Sequence, residues 1–197
     1  MKKIGKILVA LICILVIVTG CGNKETSKTK QISLGSWTEN TYTNDFLGVT
    51  YNMPEGWTRY TDEEIKEVME LGSELTDASE LSKKLSELTS VTYMMTSSVT
   101  GTNVILMSEK PVISVSERSY AESLKTQLEA QTAMKYNLSE IKTETIDGKD
   151  FVTIEAGVET LKQKYYIYKV DKYIVCAIIT ATANDDVNTI VEQFEFK

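Results

Sequence analysis

The segment Tyr173–Ala181 is nearly all apolar, and it constrains the fold of this chain more than any other stretch. In an extended strand, Ile174, Cys176 and Ile178 share one face, and the residues between them are apolar too. A strand that is apolar on both faces lies in the middle of a sheet and is covered on both sides. The pattern therefore predicts a central strand. It also predicts a buried, unreactive Cys176, since no Lys, Arg or His adjacent in sequence would stabilise its thiolate.

Short-range patterns indicate the remaining strands and helices. Asp147-Gly148 predicts a type I′ hairpin turn, because both central residues of that turn need a positive φ. Thr61 with Glu64 is a capping box that starts a helix, which Gly72 is expected to interrupt. The patterns predict strands at 49–53, 91–95, 104–107, 141–146, 151–158, 161–170 and 173–181, helices beginning after Thr61, at Asp77, after Ser116 and after Asn184, and a terminal strand or anchor at Phe194–Phe196.

This order of elements predicts the fold class. Hairpins, helices, a meander and a short closing helix are typical of an antiparallel sheet packed by helices, an α+β domain. The chain has 197 residues, a length that most often means one domain. We therefore expect a single α+β domain over residues 42–197.

The first twenty residues have the pattern of an export signal rather than of a fold element. Three lysines precede Ile7–Val18, an unbroken run of twelve apolar residues. Such a run is shorter than the roughly 18 to 20 residues that a membrane-spanning helix needs. The closing residues, Val18 to Cys21, resemble the lipobox of bacterial lipoproteins. This resemblance implies that the Cys21 thiol receives a diacylglyceryl group, that the signal peptide 1–20 is removed, and that the lipid anchors the chain in the membrane.

The charge and composition of the mature chain limit its partners. Residues 21–41 are rich in Ser, Thr, Lys, Gly and Asn, which predicts a lipidated N-terminus followed by a flexible tether. The formal charge of the whole chain is -7, and removal of the three signal-peptide lysines leaves -10. An acidic body argues against nucleic acid as a partner, since that binding depends on neutralising phosphates.

One stretch carries a resemblance to a known family. Gly48–Trp57 reads as a strand followed by Pro, Gly and Trp, and a hairpin at Asp147-Gly148, a tyrosine-rich strand pair and a terminal Phe194–Phe196 follow. Together they resemble the PsbP-like α/β sandwich of small Gram-positive surface lipoproteins. The resemblance implies that fold over about 42–197 and a location on the extracellular face of the membrane. It also implies non-catalytic partner binding, as for family members in photosynthesis and in nuclear transport, but no partner-binding residues carry over.

The sequence offers little for catalysis. It contains no histidine, which removes the commonest general base and the commonest transition-metal ligand. It has neither of the glycine loops that hold phosphates. The acid pairs Glu63-Glu64 and Asp185-Asp186 stand at predicted helix starts, where the helix dipole favours them. We therefore expect no catalytic residues, no cofactor and no metal site.

Tyrosines on two neighbouring strands form the densest aromatic group. Tyr166 and Tyr168 share one face of their strand, and Tyr165 shares the other face with Ile167. One of these faces must be core, which leaves Tyr166 and Tyr168 as a possible binding surface, because tyrosine combines a large contact area with a polar tip.

The sequence thus predicts a lipid-anchored, non-catalytic binding or assembly module of the cell envelope, with an envelope protein as its partner. The alternatives are a surface hydrolase that uses carboxylates or a bound metal, and an accessory subunit of a transporter.

Overall fold

The computed structural model of the chain describes residues 33–74, 90–131, 135–182 and 184–197. The helices are α1 (Asp62–Glu74), α2 (Glu117–Glu129) and α3 (Val187–Val191), and the strands are β1 (Ser36–Thr38), β2 (Thr41–Asn44), β3 (Val49–Asn52), β4 (Thr58–Arg59), β5 (Ser90–Ser97), β6 (Asn103–Glu109), β7 (Asn137–Leu138), β8 (Lys142–Ile146), β9 (Lys149–Val158), β10 (Leu161–Val170), β11 (Tyr173–Ala181) and β12 (Phe194–Phe196).

Strand β11 lies in the interior of an eight-stranded antiparallel sheet. The strand order is β4-β5-β6-β11-β10-β9-β7, and β8 pairs with β9 beside β7. Every residue of β11 is buried, and its neighbours are β6 on one side and β10 on the other. The prediction of a central strand with a buried Cys176 is therefore confirmed.

A smaller sheet, with the order β1-β2-β3-β12, covers one face of the large sheet. The layer between the two sheets is rich in aromatic side chains. Phe151 of β9 lies 4.6 Å from Phe196 of β12 and 5.2 Å from Tyr168 of β10, measured between ring centroids. Apolar residues of α3 join this layer, so the C-terminal segment from α3 to β12 helps to close the sandwich.

Helices α1 and α2 cover the opposite face of the large sheet. The capping box of α1 forms as predicted: the Thr61 backbone N–H donates to Glu64 Oε2 at 2.8 Å, and the Glu64 N–H donates to Thr61 Oγ1 at 3.3 Å. Ser116 caps α2 by accepting from the Ser119 N–H. The buried face of α2 consists of Tyr120, Ala121, Leu124 and Leu128.

Three sequence predictions need correction. Residues 36–38, assigned to the tether, form β1 and pair with β2, because Trp37 packs its ring 5.4 Å from that of Tyr42. Gly72 does not interrupt α1, which continues to Glu74. The last helix is capped by Asp186 rather than Asn184, since the Asp186 carboxylate accepts the Asn188 N–H. The predicted helix start at Asp77 lies outside the described residues.

Two antiparallel sheets with a few helices make the α+β sandwich that the sequence predicts. Trp57 is half-buried and packs against the core between the sheets. In the described part of the chain, none of the helices has the length and apolar character needed to cross a bilayer.

Glu109, at the end of β6, is a carboxyl group buried beneath α2. It is 3% exposed, and Tyr120 of α2 donates its hydroxyl to Glu109 Oε2 at 3.0 Å. Burial raises the pKa of Glu109 to about 7, and the hydrogen bond from Tyr120 opposes only part of this rise. An acid whose pKa is raised in the folded state contributes stability that is lost as the pH rises from its unfolded value to its folded one.

We predict that, relative to Glu109→Gln, the native chain loses about 3 kcal/mol of unfolding free energy as the pH rises from below 4.5 to above 7. Glutamine keeps an acceptor for Tyr120 but cannot ionise. Urea denaturation across this pH range measures the difference. Glu129→Gln, at an exposed position of α2, is the control and should shift stability little. A native chain and a Glu109→Gln variant that respond identically to pH would contradict the burial of this carboxyl.

Cys176 provides a test of the central strand. Burial raises the pKa of its thiol well above the ordinary value, and the nearby Glu109 adds to the rise. In a chain that begins at residue 22, Cys176 is the sole thiol. We expect Ellman's reagent to label it only after denaturant is added, because the thiolate is both disfavoured and inaccessible. Rapid labelling of the folded chain would place β11 at an edge.

Candidate functional site

The tyrosine surface predicted from the sequence is not present. Tyr166 and Tyr168 are 1% and 2% exposed, because the small sheet covers the face of β10 on which they lie. The Tyr168 hydroxyl donates to the Leu47 carbonyl at 3.3 Å. Tyr165, on the other face, is also buried, beneath the helices. The prediction of an exposed binding face at Tyr166 and Tyr168 is therefore wrong, since both faces of the strand are core.

A cleft of about 630 Å³ opens beside the small sheet, on the same face of the large sheet. Strands β7, β9 and β10 form its floor, and the residues that lead into α3 form one wall. Its size falls within the range of small-molecule sites. We call it the polar cleft, and its lining residues are Asn137, Leu138, Ser139, Glu155, Ala156, Gly157, Lys162, Gln163, Lys164, Asp185, Asp186, Val187 and Asn188.

Lys164 is the buried charge of the polar cleft. Its side chain is 7% exposed, and its Nζ lies 2.9 Å from Glu144 Oε2 and 3.5 Å from Glu155 Oε1. Burial disfavours the charged amine, but the hydrogen bond to Glu144 and the surrounding negative groups outweigh it, so the pKa of Lys164 lies above its ordinary value. Lys164 is therefore a permanent cation with one firm partner and one exposed, looser partner.

Glu144 holds this lysine from strand β8. Thr153 donates its hydroxyl to Glu144 Oε1 at 2.8 Å, so both carboxylate oxygens are occupied. Burial alone would raise the pKa of Glu144, but the hydrogen bonds from Lys164 and Thr153 outweigh burial and lower it. The pair is charged on both sides at neutral pH.

Next to Lys164 on the same face is a hydroxyl that lacks a partner. Tyr166 Oη is buried and makes no hydrogen bond within the described part of the chain. The Lys164 ammonium lies 5.1 Å from the Tyr166 ring centroid. A buried unpaired polar group of this kind is uncommon in folded proteins and calls for an explanation.

The wall of the polar cleft is fixed by Asp185 and Asp186, which have different roles. Asp186 caps α3. Asp185 Oδ2 accepts the hydroxyl of Thr182 at 3.1 Å, that of Thr100 at 3.4 Å, and that of the fully buried Thr102. Asp185 thereby ties the start of α3 to the β5–β6 hairpin, so the wall has a defined position over the floor.

The polar cleft can hold a ligand through hydrogen bonds and charge. The chain has no histidine, and within 33–74, 90–131, 135–182 and 184–197 no three His, Cys, Asp or Glu side chains are grouped to hold a metal ion. The cleft offers ammonium and amide donors beside carboxylate acceptors. This arrangement suits recognition of a polar ligand.

Sequence reasoning missed this site, although a signal was present. Lys162 and Lys164 share a strand face with Tyr166, in a strand whose other residues are largely apolar. Two charges on one face of an otherwise buried strand indicate where the covering layer ends. The acid partners come from β8 and β9, and their approach could not be read from sequence spacing.

The comparisons with known proteins bear on the fold. No family model matches the chain, and no curated protein matches it either. Among solved structures, the chain is similar to cyanobacterial PsbP (CyanoP) from Synechocystis sp. PCC 6803, with a TM-score of 0.52. The match covers 83% of this chain and 99% of that one.

The chain has a PsbP-like fold. The resemblance drawn from Gly48–Trp57 and the terminal Phe194–Phe196 is confirmed at the level of the fold. At 13% identity the likeness establishes the shared architecture and no shared site. The function of the PsbP-like domain therefore has to be argued from its own residues.

We predict that Asp185→Ala lowers the free energy of unfolding by roughly 1 to 3 kcal/mol, because it removes the carboxylate acceptor of the buried Thr102 hydroxyl. Chemical denaturation measures the loss. Asp186→Asn is the matched control, since it removes the same charge one residue away and asparagine caps helices as well as aspartate does. Equal losses from both variants would mean that charge, and not the threonine contacts, accounts for the effect.

Proposed function

We propose that the protein is a lipid-anchored, non-catalytic binding or assembly module on the extracellular face of a Gram-positive membrane, with an envelope protein as its partner. The PsbP-like fold is the observation that carries the binding part of this proposal. The resemblance stated above associates that fold with non-catalytic partner binding. The sequence Val18 to Cys21, at the end of the apolar run, carries the anchoring part.

The chemistry of the domain supports a binding role. Glu155, which lines the polar cleft, and Glu144 of β8 both lie against Lys164. A hydrolase needs either an acid that holds a proton near neutral pH or an activated nucleophile. The low pKa of Glu144 and its two hydrogen bonds leave it unsuited to donate a proton. Its geometry favours holding the lysine in place.

The placement of charge supports anchoring by lipid alone. A diacylglyceryl group supplies two acyl chains, and stable anchoring generally takes two such signals. The mature chain has a net charge of -10, which disfavours contact between the folded body and an anionic bilayer. The segment from Cys21 to the first strand, β1, is long enough to hold the body away from the lipid headgroups.

We predict that Cys21→Ala abolishes lipid attachment. The variant should accumulate as uncut precursor, or be released without lipid, because alanine has no thiol to receive the diacylglyceryl group. Labelling with radioactive palmitate, followed by separation of membranes from medium, measures both outcomes in a Gram-positive host.

Cys13→Ala is the control for this experiment. It also removes a cysteine from the first twenty-one residues, but it keeps the apolar run intact and should be lipidated normally. If Cys21→Ala is still cut before residue 21 and stays on the membrane, the anchoring part of the proposal is wrong.

A further inference from the structure

Gly157 is a glycine that the fold of β9 does not require. Its φ lies outside the left-handed region, and the atoms nearest to a Cβ added there belong to Asn137 and Leu161 at 3.8 to 4.0 Å, which is ordinary van der Waals contact. Glycine within a strand is destabilising by roughly 0.5 to 1 kcal/mol relative to alanine. Gly157 lies on the floor of the polar cleft, and its missing side chain keeps that floor open. Glycine in a strand often marks the close approach of a ligand.

The backbone of the cleft floor is already paired. Gly157 of β9 lies opposite Asn137 of β7 on one side and opposite Lys162 of β10 on the other. An extended peptide that binds by strand addition needs a free sheet edge. At Gly157, recognition therefore has to come from side chains that project above the paired strands, and only the short outer edge of β7 is left without a neighbouring strand in the described part of the chain.

The charges of the lining select the class of ligand. Two ammonium groups, on Lys162 and Lys164, stand among the carboxylates of Glu155, Asp185 and Asp186. An anionic ligand would face the excess of carboxylates, and a cationic ligand would face both lysines. A neutral ligand avoids both repulsions and still receives charge-assisted hydrogen bonds, which are about twice as strong as neutral ones.

A hydroxyl group fits these surroundings, because it both donates and accepts. It can donate to the carboxylates while it accepts from the lysines or from Asn137 and Asn188. Lys162 is exposed and makes no hydrogen bond or ion pair within the described part of the chain, so its ammonium has donors to spare. Lys164 is buried and already engaged by Glu144 and Glu155, so it contributes charge beside the cleft.

We propose that the polar cleft binds a neutral, polyhydroxylated ligand, a carbohydrate of about disaccharide size, with Gly157 providing the room and Lys162, Asn137 and Asn188 providing the donors. This inference deepens the proposed function by naming a ligand class for the binding module. It rests on the binding role in that proposal and is independent of the lipid anchor.

The test is a titration of the ¹⁵N-labelled chain from residue 22, which contains every described element. The neutral probes are the disaccharides maltose, cellobiose and diacetylchitobiose, at millimolar concentration. Chemical-shift changes at the Gly157 and Lys164 amides report binding in the cleft. Three monosaccharides with closely similar rings and different charge follow: N-acetylglucosamine, glucosamine and N-acetylmuramic acid. We expect at least one neutral disaccharide to bind, and N-acetylglucosamine to bind more tightly than its cationic and anionic counterparts.

Two variants locate the site independently. Gly157→Leu fills the floor and should weaken binding about tenfold or more, the equivalent of about 1.4 kcal/mol. Lys162→Gln removes an exposed ammonium that supports no other contact, so it should weaken binding severalfold with the melting temperature unchanged. Lys110→Gln, directly after β6 and outside the lining, is the control for loss of a surface lysine and should bind as the native chain does. If Gly157→Leu fails to fold, Lys162→Gln still tests whether the ligand binds in the polar cleft.

Three results would overturn the proposal: no shift with any neutral disaccharide, tighter binding of either charged monosaccharide, or shifts that survive both cleft variants. Binding of the neutral peptide N-acetyl-trialanine amide at the same residues, without any disaccharide, would also overturn it. After the titration, the disaccharide is checked for cleavage, so that a failure of the proposed ligand class can be told apart from a failure of the proposed non-catalytic role. Cleavage of a bound disaccharide would contradict the non-catalytic role while leaving the ligand class standing.

Discussion

The structure depends on one constraint: both faces of strand β11 have to be covered and excluded from water. Its Ile174, Cys176 and Ile178 face the helices, and the alternate residues face the small sheet. Apolar burial contributes about 25 cal/mol per Å², so neither face can be left to water. Each cover is assembled from distant parts of the chain. The N-terminal hairpin and the C-terminal strand β12 form one cover, and α1 and α2 contribute to the other.

The small sheet ends before the large sheet does, and the polar cleft lies at that limit. Beyond the small sheet, the same face of β9 and β10 carries Lys164 and Glu155 where it otherwise carries aromatic rings. A buried ammonium is tolerable only when it is paired and hydrogen-bonded, and Glu144 meets this need from β8. The polar cleft is thus a consequence of where the sandwich stops, and its lysine is held by the sheet rather than by a mobile loop.

Buried polar groups also connect the layers. Tyr120 of α2 reaches Glu109 of β6, and Asp185 binds the hydroxyls of Thr102 and Thr182. These contacts fix the position of α2 over one face and of the α3 start over the other. Hydrogen bonds inside a protein are stronger than in water, so such contacts specify one arrangement of the layers where apolar packing alone would allow several.

The sequence by itself determined the local elements, because their signals lie within a few residues. The apolar run Tyr173–Ala181 fixed the central strand, Asp147-Gly148 fixed a hairpin turn, and Thr61 with Glu64 fixed a helix start. Together with the resemblance at Gly48–Trp57 they predicted the fold class. What only the tertiary structure decided is which face each layer covers and how far. For that reason Tyr166 and Tyr168 were misassigned to a surface, and the polar cleft was missed, since Lys164 meets Glu144 across 20 residues of chain.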